Sequence, residues 1–187
     1  MSPERKNKIQ QYRFDKDKIL SLYSASMIYT GLSEILYCPI KDLCFIQEHN
    51  HKPKLNPACH KNASLIDFSI SHTDNAVLTG IVSGCNIGVD IESIKNAPFD
   101  VMPIVFHKEE IDYINSSNPE ERDKRFFEIW TKKEAYTKCI GTGLVCDLTS
   151  INTLKLPFYI MLITKTIDDY IYSVAVSSGG DSLTKLQ

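Results

Sequence analysis

Between Leu65 and Glu92 the chain carries three strand-like runs, Leu65–Ser71, Ala76–Val82 and Asn86–Glu92, separated only by turn residues at Thr73-Asp74-Asn75 and Ser83-Gly84. Connections this short reverse the chain, so the runs predict an antiparallel meander. Upstream, Ile19, Leu20, Leu22, Tyr23, Met27, Ile28, Leu32, Ile35 and Leu36 recur at helical spacing between Asp15 and Tyr37, interrupted by Gly31. His49–Ser64 is rich in Asn, His, Lys and Pro and reads as an extended loop. After a break containing Pro98 and Pro103, helices are predicted over Lys108–Asn115 and Glu121–Ile140, the second closed by Gly141 and Gly143. Strands at Phe158–Thr164 and Tyr170–Val176 then flank Asp168-Asp169, and the Ser-Gly-rich end from Ser177 is expected to fray. Each half supplies helix and antiparallel strands. The expected fold is α+β, with two similar lobes at residues 1–95 and 96–187 in a single compact unit. A length of 187 residues leaves little room for two independent domains.

Charge and composition narrow the function classes. A formal charge of −2 gives no global attraction to nucleic acid or an anionic membrane, so any anion site must be a local cluster. The apolar runs Phe158–Ile163 and Ile171–Val176 are too short to cross a bilayer, and polar Met1–Gln11 cannot act as a secretory signal, which points to the cytoplasm. Six cysteines without a Cys-x-x-Cys pair read as free thiols. His49-Asn50-His51 with Cys59-His60 matches no usual zinc spacing, and no Walker or Rossmann glycine loop is present.

Three segments carry chemistry. In Ile87-Gly88-Val89-Asp90-Ile91-Glu92, strand alternation sends the aliphatics to one face and Gly88, Asp90 and Glu92 to the other. Two carboxylates then project together, as a hard cation such as Mg²⁺ requires, although solvent-facing acids on a strand give the same pattern. In Trp130-Thr-Lys-Lys-Glu134-Ala-Tyr-Thr-Lys138, helical spacing aligns Trp130, Glu134 and Lys138. Glu134 could be a third oxygen ligand and Lys138 a point charge for phosphate, or the two could form an ordinary i,i+4 ion pair. Phe68-Ser-Ile-Ser71-His72 ends a strand, with Ser69 and Ser71 opposite the core-facing Phe68 and Ile70, and His72 at the rim.

Lys52-Pro53, Phe68 to His72, Gly88-x-Asp90-x-Glu92 and Trp130-x-x-Lys133-Glu134-Ala135-x-x-Lys138 occur in an order that resembles the surfactin-synthetase-activating type of 4'-phosphopantetheinyl transferase over roughly residues 50–145. The resemblance implies a pseudo-twofold α+β fold with the active site between lobes. It implies that Asp90, Glu92 and Glu134 bind Mg²⁺, that Lys138 contacts the pyrophosphate of coenzyme A, and that Ser71 and His72 contact phosphates. Lys52 and Pro53 would line the adenine site, and Glu110, or a water on the metal, would deprotonate the serine of an acyl or peptidyl carrier protein. Glu134, Lys138 and Glu110 are thus the expected catalytic residues of a holo-[acyl-carrier-protein] synthase acting as a monomer, with neither nucleic acid nor membrane as partner. Two positions depart from the pattern: His51 stands where the family has glycine, and Leu20 aligns with its usual arginine. Rival readings are a non-catalytic coenzyme A or carrier-binding module and a Mg²⁺-dependent phosphohydrolase.

Overall fold

The computed structural model of the chain describes residues 9–46, 52–142 and 147–178. His49 to His51, Gly143 and everything after residue 178 lie outside the described residues, as does the polar start up to residue 8. Helix α1 spans Asp15–Leu36 and ends at Tyr37, whose left-handed φ of 50° lets its N–H reach back to the Ser33 and Glu34 carbonyls. A two-stranded ribbon follows, β1 (Phe45–Ile46) with β2 (Lys54–Leu55), so the expected loop contains a short paired segment. Then come β3 (Ile66–Thr73), β4 (Ala76–Ser83) and β5 (Cys85–Ser93). Past a one-turn helix α2 (Met102–Val105), which opens with Pro103 near its start and was not expected, α3 spans Lys108–Asn115 and α4 spans Pro119–Ile140. Strands β6 (Ile160–Ile167) and β7 (Tyr170–Ser178) close the described chain.

The architecture is α+β, and its halves are alike in scale. A 22-residue helix and an antiparallel hairpin appear in each: α1 with β3 and β4, α4 with β6 and β7. The meander, however, is broken. Only β3 and β4 pair by backbone, while β5 pairs antiparallel with β7 in a three-stranded sheet ordered β5-β7-β6. The sheets therefore divide at Gly84, φ 76°, and a boundary at residue 95 cuts between β5 and the strand it pairs with. The third strand-like run is sequentially part of the first half and structurally part of the second.

The free edge of β5 explains how it leaves β4 without orphaning its backbone. Its outward N–H groups are met by side chains of β3: Ile87 N by Asp67 Oδ2 at 2.8 Å, Val89 N by Ser69 Oγ at 3.0 Å and Ile91 N by Ser71 Oγ at 3.3 Å. Two of its carbonyls accept from lysines, Ile87 O from Lys52 Nζ at 3.1 Å and Val89 O from Lys138 Nζ at 3.3 Å. Ser69 and Ser71 are consequently buried, not solvent-facing, because the face of β3 opposite Phe68 packs against β5.

Two apolar clusters sit on either side of this joint. Ile28 and Leu32 of α1 pack with Leu55, Ala63 and Phe68, while Phe106, Ile114, Phe126, Phe127, Ile129 and Ile171 form the second core. By length and composition α1 is apolar enough to cross a membrane, yet Leu20, Ala25, Ile28 and Leu32 are buried within the protein. Leu20 at 8% exposure is a core position, so it cannot stand in for a phosphate-binding arginine, and an arginine there would bury a charge.

Candidate active site at the joint of β5 and α4

Gly88 determines how near α4 comes to β5. A Cβ built there would lie 1.9 Å from Ala135 O and 2.4 Å from Cys139 N, so the helix backbone rests directly on the strand. Ala135, Cys139 and Ala175 keep the seam small. Gly88→Ala should cost about 3 kcal/mol or more, since backbone atoms cannot rotate aside. Gly31→Ala should cost far less, because its Cβ would meet only the tip of Ile81. Urea unfolding of both variants checks this, and equal effects would remove the close approach as the reason for glycine at position 88.

This approach brings the sequence-predicted residues together. Lys138 Nζ lies 2.7 Å from Asp90 Oδ1 and 3.8 Å from Glu134 Oε2, and Ser71 Oγ donates to Asp90 Oδ1 at 2.8 Å. Glu92, two residues along the same face, accepts from Thr73 Oγ1 at 3.2 Å, and the nearby Trp130 side chain favours its charged form. Trp130 is itself fixed by stacking on Phe126, 6.2 Å between centroids, so the stripe Trp130-Glu134-Lys138 runs from the second core to the acid pair.

Burial pushes the Asp90 carboxyl up, against the pull of Lys138 and Ser71. Burial and the Asp90 charge raise Glu92, and burial outweighs Lys138 in raising Glu134. Three carboxylates held above their ordinary range, with one lysine among them, form a site short of positive charge. Asp90 Oδ2 adds a specific sign: it is buried and has no hydrogen-bond partner among the described residues. The donor set is hard oxygen, which suits Mg²⁺ or Mn²⁺. Among the described residues no group of three His, Cys, Asp or Glu side chains closes into a cage, so a cation here would complete its shell from water and substrate oxygens.

The other expected site residues are placed as follows. His72 is exposed on the face of β3 opposite Ser71. Lys52 is tied to Asp67 Oδ2 at 2.5 Å as well as to Ile87 O, and half-buried Pro53 follows it, so the ammonium braces the segment against β5. Glu110 is not with the cluster. It is fully buried and receives four donors, His107 N and Lys133 Nζ on Oε2, Thr153 N and Thr153 Oγ1 on Oε1. With its acceptor sites filled it has none left for a serine proton.

Lys133, Asp67 and Thr73 escaped the sequence reading as individual contributors. Lys133 is 3% exposed and reaches Glu110 Oε2, Leu148 O and Ile151 O, which ties α3, α4 and the segment after α4 together. A signal for Asp67 and Thr73 was present in the alternation Asp67-x-Ser69-x-Ser71-x-Thr73, four polar residues on one face of one strand.

Fold and site together define an α+β protein in which a three-carboxylate, one-lysine cluster lies where two helix-and-hairpin halves meet. Two family profiles match it: the 4'-phosphopantetheinyl transferase superfamily over residues 86–176, and the 4'-phosphopantetheinyl transferase N-terminal family over residues 1–83. The chain belongs to the 4'-phosphopantetheinyl transferase superfamily. It is similar to 4'-phosphopantetheinyl transferase gsp of Aneurinibacillus migulanus, 30% identical over 80% of this chain and 60% of that protein. It is similar also to psf-1 of Bacillus pumilus, 28% identical over 84% of this chain and 69% of the relative, and to Sfp of Bacillus subtilis, 25% identical over 81% and 65%. The matched region thus spans about two thirds of these relatives' length, and the resemblance read from the motifs is to their type.

Proposed function

We propose that the chain transfers the 4'-phosphopantetheine group of coenzyme A to a serine hydroxyl of an apo acyl or peptidyl carrier protein, releasing 3',5'-ADP. The observation that carries this reading is the unpartnered, buried Asp90 Oδ2 beside Glu92, Glu134 and Lys138. Asp90, Glu92 and Glu134 would hold Mg²⁺, which when bound supplies positive charge to the pyrophosphate as its P–O bond to the leaving group breaks. Lys138, already anchored on Asp90 and Val89 O, presents its ammonium at a fixed point for phosphate. His72 would donate to phosphate from the rim, and the Lys52-Pro53 segment, braced through Asp67, would line the adenine subsite. Glu110, its oxygens already taken by His107 N, Lys133 Nζ and both donors of Thr153, would serve as an anchor of α3 rather than as the acceptor for the serine proton. The setting proposed is a monomer in the cytoplasm with neither membrane nor nucleic acid as partner.

Incubation with coenzyme A, Mg²⁺ and a panel of apo carriers, followed by mass measurement, tests the reading. A carrier that gains phosphopantetheine supports it. Coenzyme A cleaved with every carrier unmodified would instead identify a phosphohydrolase, and an intact donor would leave a binding module. Lys138→Ala should lower kcat/KM about a hundredfold, whereas Lys132→Ala should stay near wild type. Lys132 pairs with Glu128, one turn earlier on another side of α4. Equal effects of the two changes would reduce Lys138 to an ordinary ion-pair partner.

A further inference from the structure

Ser71 and Thr73 stand two residues apart on β3, and Asp90 and Glu92 stand two apart on β5. Each hydroxyl donates to the carboxylate 19 residues later, Ser71 to Asp90 at 2.8 Å and Thr73 to Glu92 at 3.2 Å. Strand periodicity carries the match, since the offset between the two strands stays constant along their length. A serine hydroxyl has a single proton to give. Ser71 spends it on Asp90 Oδ1 while accepting from Ile91 N, and its side chain is buried at 8% exposure beneath β5. Phosphate oxygens only accept, so the Ser71 hydroxyl cannot also serve a phosphate without releasing Asp90. Lys138 joins Ser71 on the same oxygen, Oδ1, which fixes the carboxylate plane and leaves Oδ2 alone without a donor among the described residues.

We infer that Ser71 and Thr73 are positioning residues that orient Asp90 and Glu92 as cation ligands, and that the Ser71 hydroxyl is not a phosphate donor. The inference rests on the proposed metal site and gives it a second layer: groups that hold a ligand in place set its affinity without touching the ion. Thr73 differs from Ser71 in having a half-buried setting and a longer bond, so its effect is the smaller of the two.

The test is Mn²⁺ binding to the nucleotide-free protein, followed by electron paramagnetic resonance of the free ion, alongside calorimetric binding of 3',5'-ADP in EDTA. Ser71→Ala should weaken Mn²⁺ roughly tenfold, Thr73→Val less, and neither should alter 3',5'-ADP binding without metal. Ser71→Thr, which keeps the hydroxyl, should restore Mn²⁺ affinity. Circular dichroism and Tm verify folding, with Ser71→Cys as a same-size alternative should Ser71→Ala unfold. Wild-type Mn²⁺ affinity in Ser71→Ala, or a loss of 3',5'-ADP binding in EDTA, would overturn the inference while Asp90→Ala still abolishes Mn²⁺ binding. If Asp90→Ala binds Mn²⁺ like wild type, or the wild type binds none, the metal-site reading itself fails and takes the inference with it.

Discussion

Asp90→Ala and Glu134→Ala will each reduce transfer to an apo carrier by about a thousandfold or more, with the fold retained. Both side chains face the joint, and removing either takes an oxygen ligand from the proposed cation site. Stability should change little for Asp90→Ala, and the sign follows from its titration. Burial holds the folded-state pKa above the unfolded one. Ionisation of Asp90 therefore costs stability as pH rises through its folded range and costs nothing well below the unfolded value, where both states are protonated. Alanine removes that cost at neutral pH, and the loss of the Ser71 and Lys138 contacts offsets it. Single-turnover transfer with thermal unfolding alongside checks both statements. Activity near wild type in either variant, at ordinary Mg²⁺, would show that the cluster is not the active site.

Glu110→Ala should lower stability by about 3–5 kcal/mol, as should Lys133→Ala, because each leaves a buried charge without its partner. Replacing both with methionine removes the uncompensated charge but leaves His107 N, Thr153 N and the Leu148 and Ile151 carbonyls without their partners, so the double change should remain destabilising. Urea unfolding measures the series. Transfer in Glu110→Gln separates anchor from base: an amide keeps two acceptor sites but no basicity, so activity should follow the remaining folded fraction. A folded Glu110→Gln protein with transfer abolished would return Glu110 to the role of general base.

Much of the fold could be read from the pattern of residues, and the reasons are local. α1, α3, α4 and the hairpins rest on periodicity and on Gly84, Tyr37 and Gly141 at reversals or helix ends, all short-range properties. The partner of β5 could not be read that way. Pairing with β7, some 80 residues later in the chain, is decided by which edge finds hydrogen bonds, and Asp67, Ser69 and Ser71 satisfy the other edge by side chains. At the site, Asp90, Glu92, Glu134 and Lys138 were legible because strand and helix spacing put them on common faces. The surroundings of Glu110 are not legible in the same way: an acidic residue early in α3 carries no mark in sequence of the buried Lys133 and Thr153 that enclose it. Leu20, aligned with the family's arginine, is a core residue, as its apolar neighbours in α1 argue.

The closed edge of β5 has a consequence for how the chain behaves among its own copies. A strand with open amides and carbonyls invites a foreign strand to add to it, the first step of many aggregates. Here the grooves where such a strand would dock are occupied by hydroxyls, a carboxylate and two ammonium groups whose geometry no incoming backbone can copy. The same groups that arrange the site therefore act as a guard on the sheet. Any substitution that strips them, even one tolerated by the chemistry, should be sought first in the insoluble fraction.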